Sequence, residues 1–193
     1  MRLTLLLCVF FLPLSVFSQT TEGIEYSPTG IFHWGMFRGK INPKHLAEMG
    51  RNTGAVTVSS LSYETIDIEG RMVTLKVSAR FHPRESWTRY PHLPHPDEAL
   101  EHEKRHFDIC EIYARRLRQL FSQTRFHPHN FDDVLRAMFK KVVVEYRSTQ
   151  ARYDQETQHS LDVRQQAIWN ARIDRELALL SDYADNVISI KLE

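Results

Sequence analysis

The sequence predicts an α+β fold, and three observations predict it. Residues 55–81 alternate apolar with polar side chains and are rich in β-branched residues, the period-2 signature of strands. Pro91, Pro94 and Pro96 crowd the next stretch and mark a loop. Beyond them, apolar residues recur at helical spacing to about residue 182. Strands followed by helices give an N-terminal antiparallel β-sheet packed on a C-terminal helical part.

The elements follow in order. Arg2 and the apolar run Leu3 to Phe17 read as a secretory signal peptide, residues 1–18, cleaved after Ser18. That run is shorter than the ~20 residues that span a bilayer. Residues 19–193 form a single domain, β-rich over 24–90 and helical over 97–182. An extended lead-in reaches Pro28, and the aromatic segment Ile31–Gly39 reads as a short strand with a turn. Asn42–Gly50 reads as a turn. Ala55–Ile66 is a strand, Glu69-Gly70 turns the chain, and Arg71–Phe81 returns with Val73, Leu75, Val77, Ala79 and Phe81 on one face. Residues 84–89 extend the sheet.

A long helix runs from Asp97 to Ser122, with Asp97 and Glu98 suiting its positive end and Arg115, Arg116 and Arg118 its negative end. Asn130 caps a second helix reaching about Arg147. Thr157 opens a third that ends near Asp182, and Val187–Leu192 forms a short final strand or ordered tail.

Composition excludes some classes of function. Removing Arg2 with the leader takes Lys and Arg from 25 to 24, against 24 Asp and Glu. A mature chain near neutrality gives no reason to expect nucleic acid or an anionic membrane surface as partner. Cys110 would be the one cysteine left, so no intrachain disulfide forms and packing must supply stability.

The long helix carries His102-Glu103-Lys104-Arg105-His106, an H-E-x-x-H motif. Residues four apart stack on one helix face, so both imidazoles can hold one metal ion while Glu103 lies beside it as a base. Ten histidines in the chain make a chance match conceivable, so position matters. With His102 at zero, His106, Ile109, Tyr113, Leu117 and Leu120 all fall within about 60° of it. The pair therefore lies on the apolar stripe, where buried imidazoles need polar partners. Zinc would supply them.

A catalytic zinc takes three protein ligands and leaves one position open. Glu111 and Asp108 point well away from the histidines on the wheel, and Cys110 could reach a metal only if the helix bent. His159 is the best candidate, with Asp154 or Glu156 as alternatives. Tyr153 could donate to an oxyanion, and Asp154 could accept the free N–H of a metal-bound His. A packed tyrosine and a capping aspartate are the plainer readings of both.

Beyond these residues, the chain resembles a bacterial family of secreted, predicted zinc-dependent peptidases long catalogued as a domain of unknown function. The resemblance rests on Ser86-Trp87, on His102 to Ile109 with Glu111 and Arg115-Arg116-Leu117, and on Tyr153-Asp154, Thr157, His159 and Trp169. It covers about Ile31 to Leu179. It implies a zincin-like fold and peptidase chemistry. Ser160 departs from it, because a glycine is expected after the downstream histidine.

The expected protein is thus a secreted or periplasmic zinc peptidase acting on a peptide or protein substrate, with no membrane span once the leader is removed. Zn2+ would be held by His102, His106 and His159, with Glu103 as base and an edge strand within Arg71–Arg89 to hold the substrate. A zinc-stabilised interaction module without turnover is the alternative.

Overall fold

The computed structural model describes residues 23–41 and 53–193. The leader and Asn42–Gly50 lie outside the described residues. The architecture is α+β, with an antiparallel sheet in the N-terminal part followed by three helices.

The sheet is built on one hairpin. β3 (Ser59–Glu69) pairs with β4 (Met72–Phe81) from Ser59 opposite Phe81 to Glu69 opposite Met72, with an irregularity between Thr65 and Asp67. Gly70 turns the chain at φ +59°, a backbone region that glycine enters without a Cβ clash. On the other edge of β4, β1 (Ile24–Glu25) pairs with Phe81 and Arg80. There too, β6 (Val187–Lys191) pairs with Met72 to Lys76. The expected final strand is therefore present.

β4 is consequently a central strand. An exposed substrate-binding edge within Arg71–Arg89 does not exist along it; the outer edge of the hairpin belongs to β3. A separate two-stranded ribbon joins β2 (Ala55–Val56) to β5 (Trp87–Thr88). The stretch expected as one strand over 55–66 is thus split at Thr57-Val58 and serves two sheets.

The alternation in β4 is realised as expected. Val73, Leu75, Val77, Ala79 and Phe81 are all buried, and each such side chain contributes roughly 1.5–3 kcal/mol when large and fully enclosed. They meet α1 (Pro96–Gln123), whose Phe107, Ile109, Leu117 and Phe121 belong to the same core. The aromatic segment forms a single 3-10 turn, Trp34–Met36, in place of the expected strand. Its rings explain the difference. Phe32 and Phe37 pack edge-on against Phe81 at 5.2 and 5.3 Å, a job for side chains around a turn.

α2 (Phe131–Thr157) runs ten residues beyond the end expected from sequence, and α3 (Val163–Leu179) starts later. Thr157 does not cap α3. Its hydroxyl donates to the Tyr153 carbonyl inside α2, and Asp162 caps α3 by accepting from Gln165 N. Arg115 and Arg118 also do not serve the helix end, since α1 continues to Gln123. Both grip the buried Glu111, and Arg118 reaches the carbonyls of Val77, Tyr183 and Ala184. No helix among the described residues is long and apolar enough to cross a membrane.

Candidate metal centre

Three elements bring the site together. α1 carries His102, Glu103 and His106 in its second and third turns, all buried. The last turns of α2 carry Gln150, Tyr153 and Asp154. The turn between α2 and α3 carries His159, and α3 carries Gln166.

The entry to this region is held from the sheet side. Ser86 Oγ accepts from Val58 N at 2.9 Å, fixing the kink between β2 and β3. Thr57 Oγ1, at that kink, donates to the Glu103 carbonyl at 3.1 Å. Gly39 N donates to Ser86 O, and a Cβ at Gly39 would lie 2.7 Å from that oxygen. Only a glycine allows this approach.

The two imidazoles turn the same way. His102 Nε2 and His106 Nε2 face each other at 3.2 Å, and Asp154 Oδ1 lies 3.1 and 3.0 Å from them. His159 Nδ1 approaches the same oxygen at 3.3 Å. Donor atoms ~2.0–2.2 Å from one zinc in tetrahedral array sit a little over 3 Å apart, so this spacing suits a metal. His102, Asp154 and His159 offer ligand atoms within 4.8 Å of one another.

Asp154 was expected to accept from the far nitrogen of a histidine. It stands instead on the Nε2 side, among the donors. The far nitrogens go to two glutamines. His102 Nδ1 lies 3.0 Å from Gln166 Oε1, and His106 Nδ1 lies 2.6 Å from Gln150 Oε1. Sequence reasoning missed both as site residues. The available signal was spacing: Gln150 precedes Asp154 by four residues and Gln166 precedes Asn170 by four, so each shares a helix face with a polar site neighbour.

Tyr153 is fully buried, and its ring stacks on His102 at 4.6 Å. Its hydroxyl donates to the His102 carbonyl and accepts from Gln166 Nε2. With its one hydrogen committed to main chain, it supports His102 and does not offer a donor to a substrate oxyanion. Glu103 is 6 % exposed, and its Oε2 is buried without a hydrogen-bond partner among the described residues. Its charge is felt at His106, His159 and Tyr153. An orphaned carboxylate oxygen beside converging imidazoles is what a metal-activated water would satisfy.

The electrostatics centre on Asp154. Burial disfavours charge on His106, but the Asp154 carboxylate outweighs it and lifts the imidazole to about 9. Burial would raise Asp154, yet the His106 charge and hydrogen bonds from His102, His106 and His159 hold it far below the usual carboxylate range. The hydrogen bond to Asp154 raises His159 as well. Burial pushes the Tyr153 phenol well above its ordinary value.

His159 does not start a helix, as expected, but occupies a strained turn. Gln158, His159 and Ser160 all have positive φ, at 50°, 53° and 73°. Three consecutive non-glycine residues in this region are costly, and strain of this kind concentrates at functional sites. The histidine is 60 % exposed at its side chain and marks the solvent side of the cluster. Glu156 is drawn away by Trp169 Nε1. Asp108 and Glu111 are held in ion pairs with Lys104 and Arg105 and with Arg115 and Arg118. Cys110 is buried in the core behind the site.

No curated protein and no solved structure shows significant similarity to the chain. A family profile described as "Bacterial protein of unknown function (DUF922)" matches residues 23–160, which take in β1 to β5, α1, α2 and every candidate donor. On that match, over most of its length, the chain belongs to the DUF922 family of bacterial proteins.

Proposed function

We propose that this protein is a secreted zinc-dependent peptidase. One observation carries the reading: two Nε2 atoms from an H-E-x-x-H helix face each other at 3.2 Å beside a buried glutamate whose Oε2 has no partner among the described residues. His102 and His106 hold the ion, and the third donor comes from His159 or Asp154. Sequence favours His159, whereas the donor spacing favours Asp154 Oδ1. A zinc ion there would polarise a peptide carbonyl and make water a nucleophile near neutral pH.

The chain's own residues do the rest. Glu103 takes the proton from the attacking water at its Oε2 and passes it to the departing amine. Gln150 and Gln166 keep the imidazoles aimed inward. Tyr153 backs His102 by stacking. Substrate approaches from the exposed His159 side. Secretion rests on the leader read from residues 1–18.

A second reading has its own support. Asp154 Oδ1 lies within 3.3 Å of His102 Nε2, His106 Nε2 and His159 Nδ1, and a site that recruited all four residues as ligands would be closed and structural. Glu103→Gln separates the two. A peptidase loses hydrolysis of a casein substrate by 100-fold or more while keeping zinc at one equivalent. Unchanged hydrolysis by the variant would sink the mechanism. No hydrolysis by the zinc-loaded wild type, together with chelator-induced unfolding, would favour the structural module.

A further inference from the structure

Gln166 lies six residues beyond the segment that the family profile matches, in α3. It is 8 % exposed, and both the nitrogen and the oxygen of its amide have partners. Its Nε2 donates to Tyr153 Oη and to Asn170 Oδ1, each at 2.8 Å. Both amide hydrogens are thereby used, so the amide cannot flip without losing two bonds. Oε1 is left facing His102 Nδ1 at 3.0 Å. A carbonyl oxygen only accepts. His102 therefore carries a proton on Nδ1, so the proton a metal would displace is the one that Nε2 donates to Asp154 Oδ1 in the metal-free cluster, and its loss leaves the Nε2 lone pair for the ion.

Gln150 does the same for His106 from α2. Its Oε1 meets His106 Nδ1 at 2.6 Å and its Nε2 donates to the His106 carbonyl at 2.8 Å. The two imidazoles are thus fixed by two amides from two different helices. Both partners are neutral. A carboxylate in either place would add negative charge behind the ligand and make it more basic.

We propose that Gln166 is a positioning residue of the metal centre: it locks His102 in the Nδ1–H tautomer and, with Gln150 on His106, pre-aims both Nε2 lone pairs at one divalent ion. The proposal rests on the metal-binding part of the peptidase reading. It makes α3 part of the functional unit, because the helix supplies the amide that orients a ligand on α1.

The test uses the full mature chain. Zinc affinity is measured by competition with a chromophoric chelator for wild type, Gln166→Leu and Gln166→Glu, alongside the melting temperature of each metal-free form. Gln166→Leu should bind zinc about 10–100-fold more weakly, the usual effect of removing a partner of a metal-bound His. Gln166→Glu keeps an acceptor and should recover most of that affinity. The visible spectrum of the Co2+ form should change in the Leu variant and return towards wild type in the Glu variant.

A merely structural Gln166 would lower the melting temperature of both variants and leave their zinc affinity at the wild-type value, which overturns the proposal. Should the Leu variant not fold, long-range proton–nitrogen NMR of zinc-loaded wild type decides. An Nδ1–H signal for His102 supports the proposal, and an Nε2–H signal overturns it. A wild type that binds no zinc at all overturns the peptidase reading and this inference with it. A wild type that binds zinc as tightly as Gln166→Leu overturns this inference alone.

Discussion

Asp154 Oδ1 lies 3.0 Å from His106 Nε2, on the side of the imidazole that faces His102 and not on the side that faces Gln150. The carboxylate is therefore a competitor or companion of the metal, and no longer its distant support. Of Asp154→Ala and His159→Ala, the one that removes the third donor is expected to weaken zinc at least about tenfold, read by metal competition. Each removes a basic donor from the same cluster. Whichever variant retains wild-type affinity identifies a residue that is not a ligand.

The same contact makes the metal-free protein sensitive to pH. His106 is raised to about 9 in the fold, above its ordinary value of ~6.5. Its contribution to stability is thus full below ~6.5 and is lost as pH rises through about 9. Asp154 is depressed, so its contribution is present above the ordinary carboxylate range and is lost on acidification. The melting temperature of the metal-free chain should be highest between these limits and fall from pH 6.5 towards 9.5. A flat profile over that interval, measured by circular dichroism, would show that the pair does not form.

Ser160 stands at φ +73°, at the end of the strained turn that presents His159. The glycine expected there from the family resemblance has a physical reason, since glycine alone adopts this region without a Cβ penalty. Ser160→Gly should stabilise the fold by about 0.5–1 kcal/mol, a rise of about 1–4 °C in melting temperature for a chain of this size. It should leave zinc affinity unchanged. A fall in melting temperature would mean that residue 160 adopts another conformation.

Cys110 sits one turn beyond His106, with its side chain enclosed by the core. Burial pushes its thiol up to about 12. The native protein should not react with a thiol-specific disulfide reagent at pH 8, and reaction should follow unfolding in denaturant. Reaction within seconds in buffer would contradict the packing of α1 against the hairpin.

The legible parts of this protein were those encoded at short range. His102, Glu103 and His106 declare themselves through four-residue spacing on an apolar stripe, and β4 through strict alternation. The site beyond α1 was less legible, because it depends on where α2 ends. Thr157 resembles an N-cap in sequence, but its hydroxyl turns back to Tyr153 and α2 runs on to it. The helix stops at Gln158 through a left-handed residue that is not glycine, so no residue type announces the stop. Gln150 and Gln166 were hidden for another reason. A glutamine on a helix reads as a solvated residue until the partner elements that bury it are known.

Buried charge was hidden in the same way. In sequence Arg118 reads as a charge that suits the helix end and Glu111 as a residue off the apolar stripe, yet their side chains are 2 % and 3 % exposed and lie 3.0 Å apart. The guanidinium also holds the carbonyls of Val77 in β4 and of Tyr183 and Ala184 ahead of β6. It therefore joins α1, the central strand and the C-terminal segment. Arg118→Met leaves Glu111 with Arg115 as its remaining ion-pair partner and strands the carbonyls. The expected loss is about 3–5 kcal/mol in chemical denaturation. Arg116 pairs with Glu176 at the more exposed rim of the same helix. Arg116→Met should cost about 1 kcal/mol or less, because water screens that pair. Equal losses for the two variants would mean that Arg118 is solvated, and that the charged face of α1 is not part of the interior.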